Sequence, residues 1–318
     1  MSASATLPLF PELPLAGRAD PSALPLRRRA EVEHFDLVAR DVLNRTESPR
    51  LPFDWTINPY RGCELGCAYC YARSTHRFLD LDDPESFETR IFVKRRAAQS
   101  LRRQLRRHDL RGQTIALGTA TDPYQPAERH YGVTRSLLEV FRDAEGLTLA
   151  ITTKSPLVLR DLDLLVELDR RHAVEVHVTL TSVDAQLSRR MERGAPTPAA
   201  RLRALAELAE AGLATRVNCM PVLPGINDGE EVLGPLMAAA RAAGALHVTA
   251  NPLFLRGAAV RAHFFAWLGR EFPALAPVYR RLYGRRDDLD AAASERLLTT
   301  FRRLRLEHGF PRARPGRS

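Results

Sequence analysis

From Trp55 to Asn251 short β-branched or apolar runs alternate with amphipathic stretches. The runs predict strands at Trp55–Tyr60, Thr114–Thr119, Thr148–Thr153, Val174–Leu180, Thr215–Val222 and Leu246–Asn251. Between them, apolar positions recur at helical spacing. Ala98, Leu101 and Leu105 share a face, as do Leu137, Leu138 and Phe141. Leu202, Leu205 and Ala209 line another helix, stopped at Gly212, and Val232, Leu233, Leu236 and Ala240 the next, stopped at Gly244. Both glycines stand where a helix C-cap is expected. Strand–helix alternation of this kind predicts an α/β fold of right-handed βαβ units around a parallel sheet. Six units are too few for the eight-stranded barrel.

Flanking segments lack that alternation. Residues 1–30 are rich in Pro, Ala and Leu, end near Arg27-Arg28-Arg29, and read as a loose tail. Residues 31–53 read as a lead-in, with Asn44–Pro49 turn-like. After Ala258 two helices are expected. One carries Phe264, Phe265, Trp267 and Leu268; the other spans Glu295–Arg305 with Leu297, Leu298 and Phe301 inward. The division expected is 1–43 tail and lead-in, 44–255 core, and 256–318 helical extension, which serves as a lid or simply packs on the open side.

Parallel α/β folds gather chemistry at the C-terminal ends of their strands. After the first strand comes Cys63-Glu64-Leu65-Gly66-Cys67-Ala68-Tyr69-Cys70. Thiolates are preferred ligands of iron–sulfur clusters and zinc. Three in one loop can hold three corners of a cubane and leave the fourth metal open. A zinc site would need a fourth ligand, and the remaining cysteine, Cys219, is far along the chain. Later strands end in Gly118–Pro126, which carries Thr121 and Asp122; in Thr153-Lys154-Ser155; in Thr181-Ser182, followed by Arg189, Arg190 and Arg193; in Asn218–Asp228; and in Asn251–Phe254. Each polar residue here has an alternative reading as a helix N-cap or turn residue. Lys154 is placed for a carboxylate or ribose.

Composition narrows the class. With 45% hydrophobic and 27% charged residues the 318-residue chain reads as an ordinary globular protein able to bury a full core. No apolar run is long enough to cross a bilayer, and the first residues carry no secretory pattern. Four cysteines, three in one loop, are no disulfide framework, and a thiolate site needs a reducing compartment, so the cytoplasm is expected. The net charge of +9 permits a DNA or RNA partner. Pairs such as Arg102-Arg103 and Arg106-Arg107 equally suit a solvated helix face.

The C-x3-C-x2-C spacing, with Tyr69 before the last cysteine, resembles the cluster loop of the radical S-adenosylmethionine (SAM) superfamily. That resemblance implies a partial (βα)6 barrel, a [4Fe–4S] cluster on Cys63, Cys67 and Cys70, and SAM chelating the fourth iron. It also implies reductive cleavage of SAM to a 5′-deoxyadenosyl radical, and an electron donor such as flavodoxin or ferredoxin. Ile57–Cys63, Gly118–Pro126, Thr153–Ser155 and Pro221–Gly225 together look like the subgroup related to spore photoproduct lyase. The resemblance covers about residues 44–255. By it, Tyr69 lies against the adenine; Thr121, Asp122, Lys154 and Ser155 lie near the methionyl and ribose groups; and Val222 lines the adenine side. True spore photoproduct lyases carry a hydrogen-returning cysteine after the second strand. Gly118–Glu128 has no thiol. Cys219 would have to face the barrel lumen to substitute, and otherwise is a small core residue. Lys154 and Cys219 are thus the candidate catalytic side chains. The alternative is a zinc- or cluster-binding nucleic-acid interaction protein that does not cleave SAM.

Overall fold

The computed structural model describes residues 25–29, 31–46, 48 and 51–311. The expected tail lies, for residues 1–24, outside them. Six strands, β1 (Trp55–Ile57), β2 (Thr114–Leu117), β3 (Thr148–Thr153), β4 (Ala173–Thr179), β5 (Ala214–Val222) and β6 (His247–Pro252), pair in chain order, all parallel. Leu43–Arg45 adds an antiparallel strand outside β1, where a lead-in and turn were expected. The connections run through α1 (Ala97–Leu105), α2 (Val133–Val140), α3 (Leu162–Asp169), α4 (Pro198–Glu210) and α5 (Glu230–Ala242). This is the expected partial barrel.

The helices cover the outer face of the sheet. Ile115, Leu117, Leu149, Ile151, Val174 and Val176 enter one core with Leu101, Leu137, Leu138 and Leu164. Val178, Val217 and Val248 enter a second with Leu205, Leu233, Leu236 and Met237. Gly212 and Gly244 close α4 and α5 with φ of 88° and 83°, a left-handed conformation that glycine adopts without Cβ strain.

The first predicted strand stops at Ile57. Pro59 has no N–H to give the ladder, and the chain then changes sheet: Tyr60–Arg61 pairs antiparallel with Arg90–Val93. Val32–Asp36 joins the other side of Arg90–Val93 in parallel, and Arg27–Arg29 folds back on Val32–His34. Residues 27–29 and 31–43, read as tail and lead-in, therefore belong to the folded body.

After β6 comes α6 (Gly257–Glu271), where the expected Phe264, Trp267 and Leu268 are buried together with Val260, while Phe265 is only partly buried. The second expected helix is two, Ala291–Leu297 and Thr299–Glu307, which meet at Leu298. Leu298, Phe301 and Leu304 pack in the α5 cluster.

Candidate active site

The cysteine loop is gripped from three sides. At its start Gly62 has φ of 89°, and a Cβ there would lie 2.9 Å from the Arg90 carbonyl, so the turn needs glycine. The Cys63 N–H donates to the Phe87 carbonyl at 2.8 Å. From the loop after β2, the Thr121 hydroxyl and the Gln125 amide donate to the Gly62 carbonyl at 2.6 and 3.1 Å. The Gln125 Oε1 accepts from the Glu64 N–H at 3.0 Å.

The middle of the loop is held by the segment after β4. Ala68 N–H donates to the Met191 carbonyl at 3.0 Å, and Gly194 N–H to the Leu65 carbonyl at 3.0 Å. Tyr69 donates its hydroxyl to Glu192, which is paired with Arg201. Tyr69, Glu192 and Arg201 are all buried. Arg201 also donates to the Thr179 carbonyl at 3.1 Å, fixing the pair to the end of β4. Burial alone would raise the Glu192 carboxyl; the Arg201 and Lys154 charges outweigh it and hold it below its ordinary value. Burial, then Glu192, push the Tyr69 hydroxyl well above its usual range. On the third side Arg73 donates to the Cys67 carbonyl at 3.0 Å and pairs with Glu88, which also takes Arg193 at 2.6 Å.

Beneath the loop, α6 supplies an apolar seat. Val260, Phe264, Trp267 and Leu268 cluster with Leu65, Cys67, Ala68 and Tyr69. Trp267 Nε1 donates to the Arg190 carbonyl at 2.9 Å.

Burial pushes the Cys67 thiol up to about 12. It pushes Cys63 well above its ordinary value, with Asp122 and the neighbouring sulfurs adding. Both thiols are therefore neutral until a metal displaces their protons. The Lys154 ammonium stands 5.8 Å from the centre of the Tyr69 ring. Burial disfavours its charge, but the Cys67 sulfur, once ionised, and the Glu192 carboxylate outweigh burial and leave it raised. Lys154 is thus a cation fixed beside the thiols.

The other expected residues divide. Asp122 is buried beside Cys63, and its carboxylate accepts from the Tyr124 N–H, the Thr153 hydroxyl and the Lys154 N–H at 2.9, 2.7 and 2.7 Å. It binds the ends of β2 and β3 together. Thr121 is spent on Gly62, and Ser155 caps the short helix Pro156–Asp161 by accepting from the Leu157 N–H. Cys219 and Val222 are fully buried in the helix-side cluster with Leu205, Leu233 and Leu236. Cys219 does not face the lumen, because it alternates with the inward Asn218 and Met220 on β5. Sequence reasoning missed Glu192, Arg201, Gln125, Arg73 and Glu88. Glu192 sits inside the run Arg189–Arg193 at the end of the short helix Ala185–Met191, and its only signal was a carboxylate among arginines.

Comparison with known proteins adds the following. The family model described as "Radical SAM superfamily" matches residues 57–233. An uncharacterized protein of Mycobacterium tuberculosis is 41% identical over 255 residues, covering 80% of this chain and 74% of the relative. An uncharacterized protein of Methanocaldococcus jannaschii is 29% identical over 206 residues, covering 64% and 73%. Among solved structures, spore photoproduct lyase complexed with dinucleoside spore photoproduct superposes with a TM-score of 0.63 at 15% identity, covering 87% of this chain and 79% of that one. A variant of the same enzyme with bound AdoMet and the dinucleoside superposes at 0.61, with 14% identity and coverage of 83% and 76%. At these identities the likeness is one of fold.

Proposed function

Because the chain belongs to the radical SAM superfamily, and is therefore an enzyme that uses a [4Fe–4S] cluster and SAM, we propose that it abstracts hydrogen from a nucleic-acid substrate. One observation carries the assignment of the site: three thiols in a single braced loop at the C-terminal end of an open barrel, with a buried lysine beside them. The donor set fits the cluster. Three soft ligands leave one metal corner open, and the fourth cysteine is walled off behind β5. That position also disfavours the zinc alternative, since Cys219 is not available to complete four ligands.

In this reading Cys63, Cys67 and Cys70 hold the cluster, and Lys154 meets the SAM carboxylate in a charge-assisted contact. Tyr69 stands beside the adenine. Thr121, Asp122 and Ser155 act one layer back, fixing the backbone that carries these groups, and Val222 contributes its backbone. When bound, cluster and SAM supply a primary carbon radical on one-electron reduction. The protein's part is to orient the substrate and keep water out. The core is 44–255, with α6 and the helices after it backing the cysteine loop. A small acidic redox protein such as flavodoxin or ferredoxin supplies the electron, and the cytoplasm supplies the reducing surroundings. Among the described residues no helix is long and apolar enough to cross a membrane.

Three observations support a nucleic-acid substrate: the +9 charge, the fold shared with an enzyme crystallised with a dinucleoside, and arginines around the cysteine loop. The loop Gly118–Glu128 lacks a thiol and Cys219 faces away from the lumen, so a lyase that returns hydrogen from a cysteine is not proposed. The test is anaerobic reconstitution with iron and sulfide, reduction, addition of SAM and assay of 5′-deoxyadenosine, with Cys67→Ala alongside. Nucleoside from the wild type alone is expected. A protein that takes up one zinc and never builds a cluster would sink the reading.

A further inference from the structure

The wall of the lumen formed by β3–β6 is polar and wet, while the opposite face of the same strands is apolar and dry. On β4 the outward Val174, Val176 and Val178 are at most 3% exposed. The inward side chains of Glu175 and His177 are 24% and 20% exposed. On β5 Val217 and Cys219 are fully buried, whereas the inward Arg216 side chain is 30% exposed. Register sets Thr152, His177, Arg216 and His247 side by side across four strands. A filled barrel carries branched apolar residues in such rows. A polar, water-reached row is the wall of a chamber.

The contacts within the row leave a defined hydrogen-bonding character. Glu175, one row deeper, accepts from Arg216 at 2.8 Å and lies 3.2 Å from His177 Nε2, so both its oxygens are engaged. The His177 contact first, then Arg216, hold its carboxyl at about 2, so it stays ionised and keeps both partners in place. One row higher, Asn218 Oδ1 accepts from the Thr249 hydroxyl at 2.8 Å. The carboxylate and the amide oxygen are thus spoken for. The unspent groups include the remaining guanidinium N–H groups of Arg216 and the Asn218 amide N–H groups, which donate, beside His177 Nδ1 and the Thr152 hydroxyl. The row lies two residues, about 7 Å of strand, below the level of Thr179 and Lys154. A group resting on it therefore lies about that far below the level of Lys154, whose ammonium stands beside Tyr69 of the cysteine loop.

We propose that His177, Arg216 and Asn218, braced by Glu175, form the polar end of a substrate chamber that takes an oxygen-acceptor-rich group of a nucleotide. That group is either the ring carbonyls of a base or a backbone phosphate. The proposal rests on the nucleic-acid reading above, and the two sources are separated by the test. Cluster-loaded protein is titrated, by fluorescence anisotropy, with labelled ten-residue oligothymidylate and with an abasic chain of equal length. Arg216→Gln removes the charged donor. Asn218→Asp is isosteric and turns a donor into an acceptor, which keeps the test alive should the first variant fold poorly. Arg102→Gln, on the outer face of α1, controls for net charge and is expected to bind as the wild type does. Weakening of oligothymidylate binding by tenfold or more in both lumen variants is the expected result. Equal weakening for the abasic chain assigns the row to phosphate; weakening confined to oligothymidylate assigns it to base carbonyls. Folded lumen variants that bind as tightly as the wild type overturn the chamber and leave the nucleic-acid reading standing. A wild type that binds neither chain at low salt overturns that reading and the chamber with it.

Discussion

Truncating Glu192 to alanine strands two buried partners, the Arg201 guanidinium and the Tyr69 hydroxyl. Leaving a buried charge without its counterion costs about 3–5 kcal/mol, so Glu192→Ala is expected to lose that much in urea unfolding. Tyr69→Phe removes one hydrogen bond to a charged group and leaves the ion pair, at a cost of about 1.5–3 kcal/mol. If the two losses came out in reverse order, the ion pair would not be what holds the loop. A second buried group makes a pH prediction. Burial, then Arg61, bring the Lys94 ammonium down to about 7, and its one hydrogen bond is to the Asn58 carbonyl at 2.8 Å. A base whose folded value is depressed gives stability that is full above the unfolded value near 10.5 and is lost as pH falls through the folded one. Lys94→Met removes that penalty. The variant is expected to gain about 4 kcal/mol on the wild type in going from pH 10 to pH 6, read from paired unfolding curves. A flat difference would mean that Lys94 is hydrated. The residues split in how far sequence revealed them. Cys63, Cys67 and Cys70 declare themselves because their chemistry is written within eight positions. Glu192 does not, because its meaning depends on Tyr69, 123 positions away, and on a helix whose register no local pattern fixes.

The helix α6 belongs, by packing, to the cysteine loop more than to the barrel. Phe264 lies against Trp267 and Tyr279, with ring centres 5.2 and 5.5 Å apart, in the cluster that also holds Leu65, Cys67 and Tyr69. Phe264→Ala is expected to cost about 3–5 kcal/mol and to lower the iron retained per chain after reconstitution. Leu304→Ala, in the helix Thr299–Glu307 on the α5 side, is a comparable core truncation, costing about 2–5 kcal/mol, but it touches a different cluster. It is expected to leave iron content unchanged at a temperature where both variants are folded. Equal iron loss in both would mean that retention follows global stability and not the seat. At this scale the sequence was informative where periodicity runs long. All six barrel strands fall within three residues of their predicted ends, since each is bounded by turn residues and followed by a helix of two turns or more. The small sheet was not legible. Its strands have two to five residues, too few for alternation to register, and its central pairing, Val32–Asp36 with Arg90–Val93, spans more than fifty positions.

Across the whole molecule, the sum of charge says less than where the charge stands. Arg102, Arg103, Arg106 and Arg107 make the basic character obvious in the sequence, yet all four are exposed on and just after α1, on the outer layer of the barrel. Arg256 follows β6 and acts on the Tyr71 hydroxyl beside Cys70, and Arg77 is exposed on the short helix that leaves the cysteine loop. On the nucleic-acid reading proposed above, a polyanion that delivers a group into the lumen is expected to run past Arg77 and Arg256, which stand by the residues that follow Cys70. It need not touch α1. Each phosphate neutralised on a single strand contributes about 0.7 to the slope of log affinity against log salt. The double change Arg77→Gln with Arg256→Gln is therefore expected to flatten that slope by about 1.4 and to weaken oligothymidylate binding at low salt by more than tenfold. Changing all four arginines of the α1 face removes twice the charge. If only net charge mattered, it would do twice the damage. The position of the mouth predicts the opposite order, with the slope nearly unchanged. Anisotropy titrations at four salt concentrations, run on the three proteins together, decide between a general attraction and a track that leads to the cysteine loop.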